Sequence, residues 1–477
     1  KYLLFAFTAC LLGGVLGDIF GFIFMPRFVS VILKELYNLP QYYLRFDNLY
    51  GVGGILLFMA AIVGATMLAC RSELTQMPAA LLRPKAPRSG ARVWLERIPG
   101  IWNRLKFLNK VTIRNLFRYK KRMFMTIGGI MGCTALIICG FAIKDSVMAL
   151  APSQYDNIYQ YDLMTVFKEK DNDNLVRQLA KDSNIDDYMN LRIENVKLLN
   201  TGGTSSSVQL MVIPNGSTIE DYIRIEDLDG TPIHLKDAGI FITQNATRIL
   251  GLKTGDTVFV QNMALEQHEA AVSGIVRNYL GNNVYMTQKL YESLFGKYVP
   301  NGILAHLSDT CSDQAAYAQI LLDNDSVLSS VSIAALREDF GFDLINAVVL
   351  LLIVMAGGLA LVVLFTLSNT NISERVRELA TIKVLGFYDN EVYQYVNKET
   401  LILTAVGILI GLPVGRGISG LLTTVLNMPS IHFAVHVEPV SYLFSAVITF
   451  FFAIIVNWIT NRTLNHINMV EALKSVE

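Results

Sequence analysis

The stretch Ser373–Glu399 reads SERVRELATIKVLGFYDNEVYQYVNKE, and its reading decides the fold. It separates two apolar runs, Leu344–Leu367 and Leu401–Val425, each long enough to cross a bilayer, which takes about 20 apolar residues. A polar turn would suffice to join two membrane helices, but this connector has helix signals of its own. Ser373 can serve as N-cap, Glu374 sits in the first turn where the helix dipole favours an anion, and Gly386 follows the last periodic residue as a stop. Val376, Leu379, Ala380 and Lys383 fall near one face, and Arg375 and Glu378 lie one turn apart, where they can pair. Asp389 starts a second helix that leads into the next apolar run. The element is shaped to be pushed from the aqueous side.

The run from Glu374-Arg-Val-Arg-Glu378 through Leu379, Lys383 and Leu385 to Gly386-Phe resembles the signature of FtsX-like permeases. These are the membrane subunits of the MacB/LolCDE class of ABC transporters, and in that family the segment is the coupling helix that docks on the ATPase. The resemblance implies that Glu374, Arg375, Arg377, Glu378, Leu379, Lys383, Leu385 and Gly386 couple the chain to an ABC ATPase homodimer in the cytoplasm.

Composition agrees with a membrane protein. The 477 residues are 52% hydrophobic and 17% charged, and apolar runs account for the imbalance. Six spans are expected: Tyr2–Phe24, Leu49–Cys70, Met123–Ile143, Leu344–Leu367, Leu401–Val425 and Tyr442–Ile459. From Arg83 to Arg122 basic residues crowd together and Glu96 is the sole acid, so the positive-inside rule makes this segment cytoplasmic. Counting spans from it puts 144–343 outside, 373–398 inside and the C-terminus inside. Topology and motif place the coupling helix on the same side independently.

Pro84, Pro87 and Pro99 with Ser89-Gly90 make 83–105 a cytoplasmic linker. Lys106–Arg122 then reads as a basic amphipathic helix in the inner interface, and its Arg114-Asn-Leu-Phe-Arg118 run resembles the entry helix of FtsX-like domains. A degenerate repeat runs through the chain. Gly13, Gly17 and Gly21 recur at the spacing of Gly407, Gly411 and Gly415, and small residues every fourth position let another helix approach closely. Met77-Pro-Ala-Ala80-Leu81 likewise parallels Met469-Val-Glu-Ala472-Leu473, and both resemble the close of FtsX domains. Residues 1–82 therefore read as the back half of a first FtsX-like domain. A second follows, with an interfacial helix and first span at 106–143, an insert at 144–343, and three spans with the coupling helix 373–385 in 344–477. The family pattern implies that an N-terminal part of a longer tandem permease precedes this sequence.

The insert mixes strand-like runs (Leu163–Phe167, Val208–Ile213, Thr257–Val260, Ala270–Val276, Val284–Met286) with helical patterns at Asp173–Asp182, Gln288–Phe295 and Ser312–Leu322. Turns are expected at Asn215-Gly216, Asp229-Gly230 and Pro300-Asn301-Gly302. The fold class is thus an α-helical integral membrane protein with one α+β extracytoplasmic domain. The run Ile249-Leu-Gly-Leu-Lys-Thr-Gly-Asp256, with Val272–Val276 and Gly281–Tyr285, resembles periplasmic domains of MacB type, its glycines turning the chain in a small barrel-like subdomain.

No GxxxxGK[ST], G-x-S-x-G or HExxH motif occurs, so no catalytic residue, cofactor or nucleotide site is assigned, and ATP hydrolysis falls to a partner. His432, His436 and Glu438 share one face of an extended segment, a conceivable metal grip, but a structural loop is the favoured reading. The five cysteines form neither a disulfide framework nor a CxxC pair. Asp18 and Arg416 are the ionisable groups expected within spans. A net charge of zero gives no sign of nucleic acid.

The resemblance implies a permease of a bacterial plasma membrane that passes ATPase motion to its outer domain, to extrude a peptide, lipid or lipoprotein-like substrate. Its partners are the ATPase, membrane lipids and an extracytoplasmic protein or peptide; a single-chain tandem points to a Gram-positive cell. The alternative is an ABC-coupled sensor or regulator of a cell-wall enzyme that moves no substrate.

Overall fold

A computed structural model describes residues 1–36, 45–75, 110, 113–114, 116–117, 120–168, 172–338, 342–373, 376–425 and 430–465. The linker 83–105, both FtsX-type closing runs, most of the basic helix, Glu374 and Arg375 lie outside the described residues. The chain divides into two compact units, Lys1–Arg97 and Ile98–Glu477. Among the described residues, six helical segments are long and apolar enough to cross a membrane: Tyr2–Ser30, Asn48–Arg71, Met123–Tyr155, Val349–Thr370, Glu391–Thr423 and Pro439–Thr460.

The first unit pairs α1 (Tyr2–Leu36) with α2 (Asn48–Leu74). The glycine spacing of α1 does not coincide with the face that meets α2. A side chain at Gly13, Gly17 or Gly21 would meet nothing within 4 Å among the described residues, whereas one at Gly14 would lie 3.0 Å from Ile55. Gly14 and Asp18, one turn apart, share the face that meets α2: the Asp18 carboxylate lies beside Gly51. Gly13 and Gly17 instead line an open groove of about 820 Å³.

In the second unit, α3 (Lys120–Met148) continues through a short α4 (Leu150–Tyr155) into the insert. There β1 (Leu163–Phe167), α5 (Asn172–Leu179), β2 (Ile185–Leu199), β3 (Ser205–Ile213), β4 (Ile240–Thr243) and α6 (Gln244–Leu250) precede β5 (Thr257–Gln261), β6 (Gln267–Val276) and β7 (Asn283–Thr287). α7 (Gln288–Phe295), β8 (Gly302–Leu307), α8 (Gln314–Leu322), β9 (Val327–Ser332) and α9 (Ile333–Glu338) complete it. The chain then re-enters the bundle as α10 (Phe342–Ser373), α11 (Val376–Val384), α12 (Asp389–Val425) and α13 (Pro439–Asn465).

The insert is organised by β2. Its first half pairs with β8 in a sheet β2-β8-β1-β9, and its second half pairs with both β3 and β5. That double pairing closes β2-β3-β7-β4-β6-β5 into a six-stranded barrel. Val196, Leu210, Ile242, Val260, Val272 and Val284 fill the barrel, while Phe167, Leu175, Ile303 and Tyr317 form a second core where α5 and α8 cover the sheet. Pro300-Asn301-Gly302 is not a free turn. Asn301 binds the Ile193 backbone through both amide atoms, Oδ1 accepting at 2.7 Å and Nδ2 donating at 2.8 Å, and Gly302 already belongs to β8.

The helical bundle closes on side chains from α3, α10, α12 and α13. Ile130, Leu364, Leu403, Ala453 and Val456 form one layer, with Cys133, Ile137, Ala356 and Ala360 in another.

Candidate functional site

The closest packing in the bundle lies between α3 and α12. A Cβ on Gly407 would sit 2.6 Å from Cγ2 of Ile130; on Gly411, 2.7 Å from Cβ of Thr134 and 2.9 Å from the Met131 carbonyl; on Gly415, 2.7 Å from the Ala135 carbonyl. Three successive turns of α12 thus rest on the α3 backbone with no room for a methyl group. Such a seam resists sliding, since any shift drives a glycine face onto an isoleucine or a carbonyl.

At one end of α12 stands the helical hairpin quoted above. Ser373 does not cap α11: it is the last residue of α10, and its hydroxyl donates to the Asn369 carbonyl at 2.9 Å. Gly386 does stop α11. Its φ is +96°, and Gly386 N donates to Lys383 O and Phe387 N to Ile382 O, the paired bonds of a Schellman motif. Glu391 then accepts from Tyr388 N at 3.0 Å, half of a capping box for α12. Leu379 is buried against Ile372, Val392 and Val396, and Ala380 and Lys383 are also buried. These residues lock the hairpin and do not face outward. Arg377 and Glu378 occupy the second and third positions of α11. Around the stop the described side chains make an apolar tip: Val384, Leu385, Phe387 and Tyr388 are exposed, Leu385 by 73% and Tyr388 by 78%. Of these only Leu385 was expected from sequence. The signal for the others was the Gly stop itself, which leaves residues on either side at a helix tip.

At the opposite end, α3 is tied to the segment before α13. Asp145 accepts from Glu438 N at 2.9 Å, and the Ser146 hydroxyl bonds both N and O of His436 at 3.1 Å. That segment continues onto the insert. Gly281 N donates to Ser430 O at 2.8 Å, His432 N donates to Tyr279 O at 2.9 Å, and Leu280 forms a bridge with Ile431. Gln154 of α4, fully buried, completes the joint. Its Nε2 donates to Asn278 Oδ1 at 2.8 Å, and its Oε1 accepts from Tyr279 N and Leu280 N at 2.9 and 3.0 Å. Gln244 at the start of α6 donates to the Asn278 carbonyl, so the same loop is anchored to the barrel. Residues 278–281 are where α4, the 430–438 strap and the barrel meet.

His432 and His436 take part through their backbones. Burial, with the positive charge of Arg248 adding to it, pushes the His432 imidazole below its ordinary value near 6.5. Among the described residues no group of three or more His, Cys, Asp or Glu is placed to hold a metal. Arg416 is exposed on α12. Glu399, fully buried near the hairpin end of α12, is an ionisable group that the span boundary drawn from sequence left out.

Residues 349–469 match the family described as FtsX-like permease C-terminal, so this part of the chain is an FtsX-like permease domain. A direct comparison with curated proteins finds no match. Two solved structures are similar over the insert. The extracellular domain of the noncanonic ABC-type transporter YknZ from Gram-positive bacteria is 11% identical, with a TM-score of 0.24, over 36% of this chain and 98% of that one. The periplasmic region of MacB from Actinobacillus actinomycetemcomitans is 13% identical, also at 0.24, over 38% of this chain and 92% of that one.

Proposed function

We propose that this chain, whose residues 349–469 are an FtsX-like permease domain, is the membrane subunit of an ABC-type transporter that carries ATPase motion across a bacterial plasma membrane. The observation that carries the reading is the continuity from hairpin to joint. An apolar helical tip, Val384 to Tyr388, stands at the start of α12, α12 is seated on α3 by three glycines, and α3 is bonded to the strap that holds the insert. The basic segment 83–122 puts the hairpin in the cytoplasm and the insert outside.

In this mechanism an ATPase dimer buries the tip, with Arg377 and Glu378 among the contacts, and closes when it binds ATP. Closure favours one of two arrangements of α10 and α12, and the seam obliges α3 to follow. The joint at Gln154 and Asn278 passes the displacement to the barrel instead of absorbing it, because its bonds are buried and mutually satisfied. The substrate is a peptide, lipid or lipoprotein-like molecule, and hydrolysis belongs to the partner. The test is copurification from native membranes: an ABC ATPase is expected with the parent chain and not with L385E/F387E. Equal recovery of the ATPase with both, or with neither, overturns the docking assignment.

A further inference from the structure

Beside the joint, the insert carries a cleft that the transport mechanism does not use. One cavity of about 390 Å³ is lined by Tyr155, Tyr159 and Tyr161 together with Asn195, Gln209 and Ser430, and none of its lining side chains is charged. The same three tyrosines border a second cavity of about 520 Å³, so the two flank one aromatic wall, and the charged residues Asp156, Asp162, Arg337 and Glu338 lie on the side of the second. The rings lie 6.2 Å (Tyr155 to Tyr159) and 5.1 Å (Tyr159 to Tyr161) apart. Burial pushes the Tyr159 hydroxyl up to about 12, so it remains a neutral group at physiological pH.

Tyr159 is already engaged, accepting from Asn283 Nδ2 at 3.0 Å. Tyr161 is not. It is 3% exposed, and its hydroxyl has no hydrogen-bond partner among the described residues. Asn195 and Gln209 sit directly opposite each other in the β2–β3 register, and neither amide group is bonded to a described residue. The first cavity therefore offers two adjacent free amides, the Tyr161 hydroxyl and three aromatic rings, with no charged side chain in its own lining.

We propose that this cleft binds a neutral oligosaccharide. Vicinal sugar hydroxyls match the paired donors and acceptors of two adjacent amides, and the C–H face of a pyranose packs on a tyrosine ring whose hydroxyl supplies a further bond. An extended peptide gains affinity from a free strand edge, and beside the amides that edge is short: β1 is flanked by β8 and β9, and β3 lacks a second strand partner only before Gln209. A charged ligand would find its counter-charges in the second cavity, across the aromatic wall, and none in the lining beside the amides. Because Ser430 belongs to the strap and Tyr155 to α4, the walls of the cleft come from the pieces that the joint ties together.

This assignment goes beyond the transporter reading and does not rest on it; its test needs no ATPase, so either can fail alone. The full chain in nanodiscs is titrated calorimetrically with N-acetylchitotetraose, maltotetraose and an uncharged octapeptide. At least one tetrasaccharide is expected to bind, and N195A/Q209A to weaken it by about tenfold or more, the loss of roughly 1.4 kcal/mol. Y161F, which removes the free hydroxyl and keeps the ring, should weaken it as well, while thermal melting confirms that both variants fold like the parent. Failure of both sugars to bind, binding of the peptide alone, or sugar binding unchanged in folded N195A/Q209A would each overturn the proposal.

Discussion

Gly411→Ala adds one methyl group to α12, and the structure says where it must go. Its Cβ would lie 2.7 Å from Cβ of Thr134 and 2.9 Å from the Met131 carbonyl oxygen. Carbon contacts are optimal at about 3.5–4.0 Å, so α3 and α12 must separate by close to 1 Å locally. The carbonyl is backbone and cannot rotate aside. Overpacking of this kind costs about 1–3 kcal/mol. Gly417→Ala in the same helix supplies the control, because its Cβ would meet nothing within 4 Å. Alanine is the better helix former by about 1 kcal/mol in either place, so that term cancels between the two variants. Thermal melting of the purified chain in nanodiscs should place Gly411→Ala several degrees below Gly417→Ala, at about 2–4 °C per kcal/mol. Equal melting temperatures would refute the claim that α12 is seated on α3 through its glycines.

Gln154→Ala removes the acceptor of two half-buried amides, Tyr279 N and Leu280 N, at up to about 1–3 kcal/mol for a group left unsatisfied. It should raise hydrogen exchange at those two amides, and unchanged protection would show that Gln154 does not hold the joint. The His432 imidazole has a folded pKa below its unfolded one, so its neutral form contributes stability present above about 6.5 and lost as pH falls through the folded value. Melting temperature should therefore drop on acidification in the parent and drop less in His432→Phe; equal slopes would remove this role. Topology is read by labelling. A cysteine at Ser205 should react with an impermeant reagent from outside and one at Ser89 should not, and the opposite pattern would invert the orientation. Gly386→Pro forbids the positive φ at the hairpin stop and should abolish stimulated ATPase activity while leaving membrane insertion intact. Normal stimulation would detach the stop from coupling.

Much of this architecture is legible from local pattern. Helices at membrane length need only a long apolar run, and the hairpin stop follows from a glycine after periodic residues, so both stand in the sequence. Strands β1 and β7, rich in branched and aromatic residues, are equally plain. β2 is not: Asp186, Asp187, Arg192, Glu194 and Lys197 hide a 15-residue strand whose role comes from changing partners halfway along. β4, only four residues long, is buried throughout and lacks alternation. The repeat of glycines at 13, 17 and 21 and at 407, 411 and 415 shows where spacing alone stops. Identical periodicity yields a tight seam on α12 and an open groove on α1, because the neighbour determines which face is used. Of the coupling residues, Leu379 and Lys383 turn inward while Phe387 and Tyr388 take the exposed tip, a distinction that depends on how α12 folds back. The Gln154 joint could not be read in advance, since its partners lie about 125 positions away.

The most direct test of transmission is hydrogen exchange at residues 278–281 in the complex with its ATPase, with and without ATP. The tip, seam and joint predict that nucleotide changes exchange at Tyr279, Leu280 and Gly281 in the parent complex, and that Gly411→Ala blunts this response although the ATPase remains bound. Exchange indifferent to nucleotide in the parent, or an undiminished response in Gly411→Ala, would contradict a path through α12 and α3.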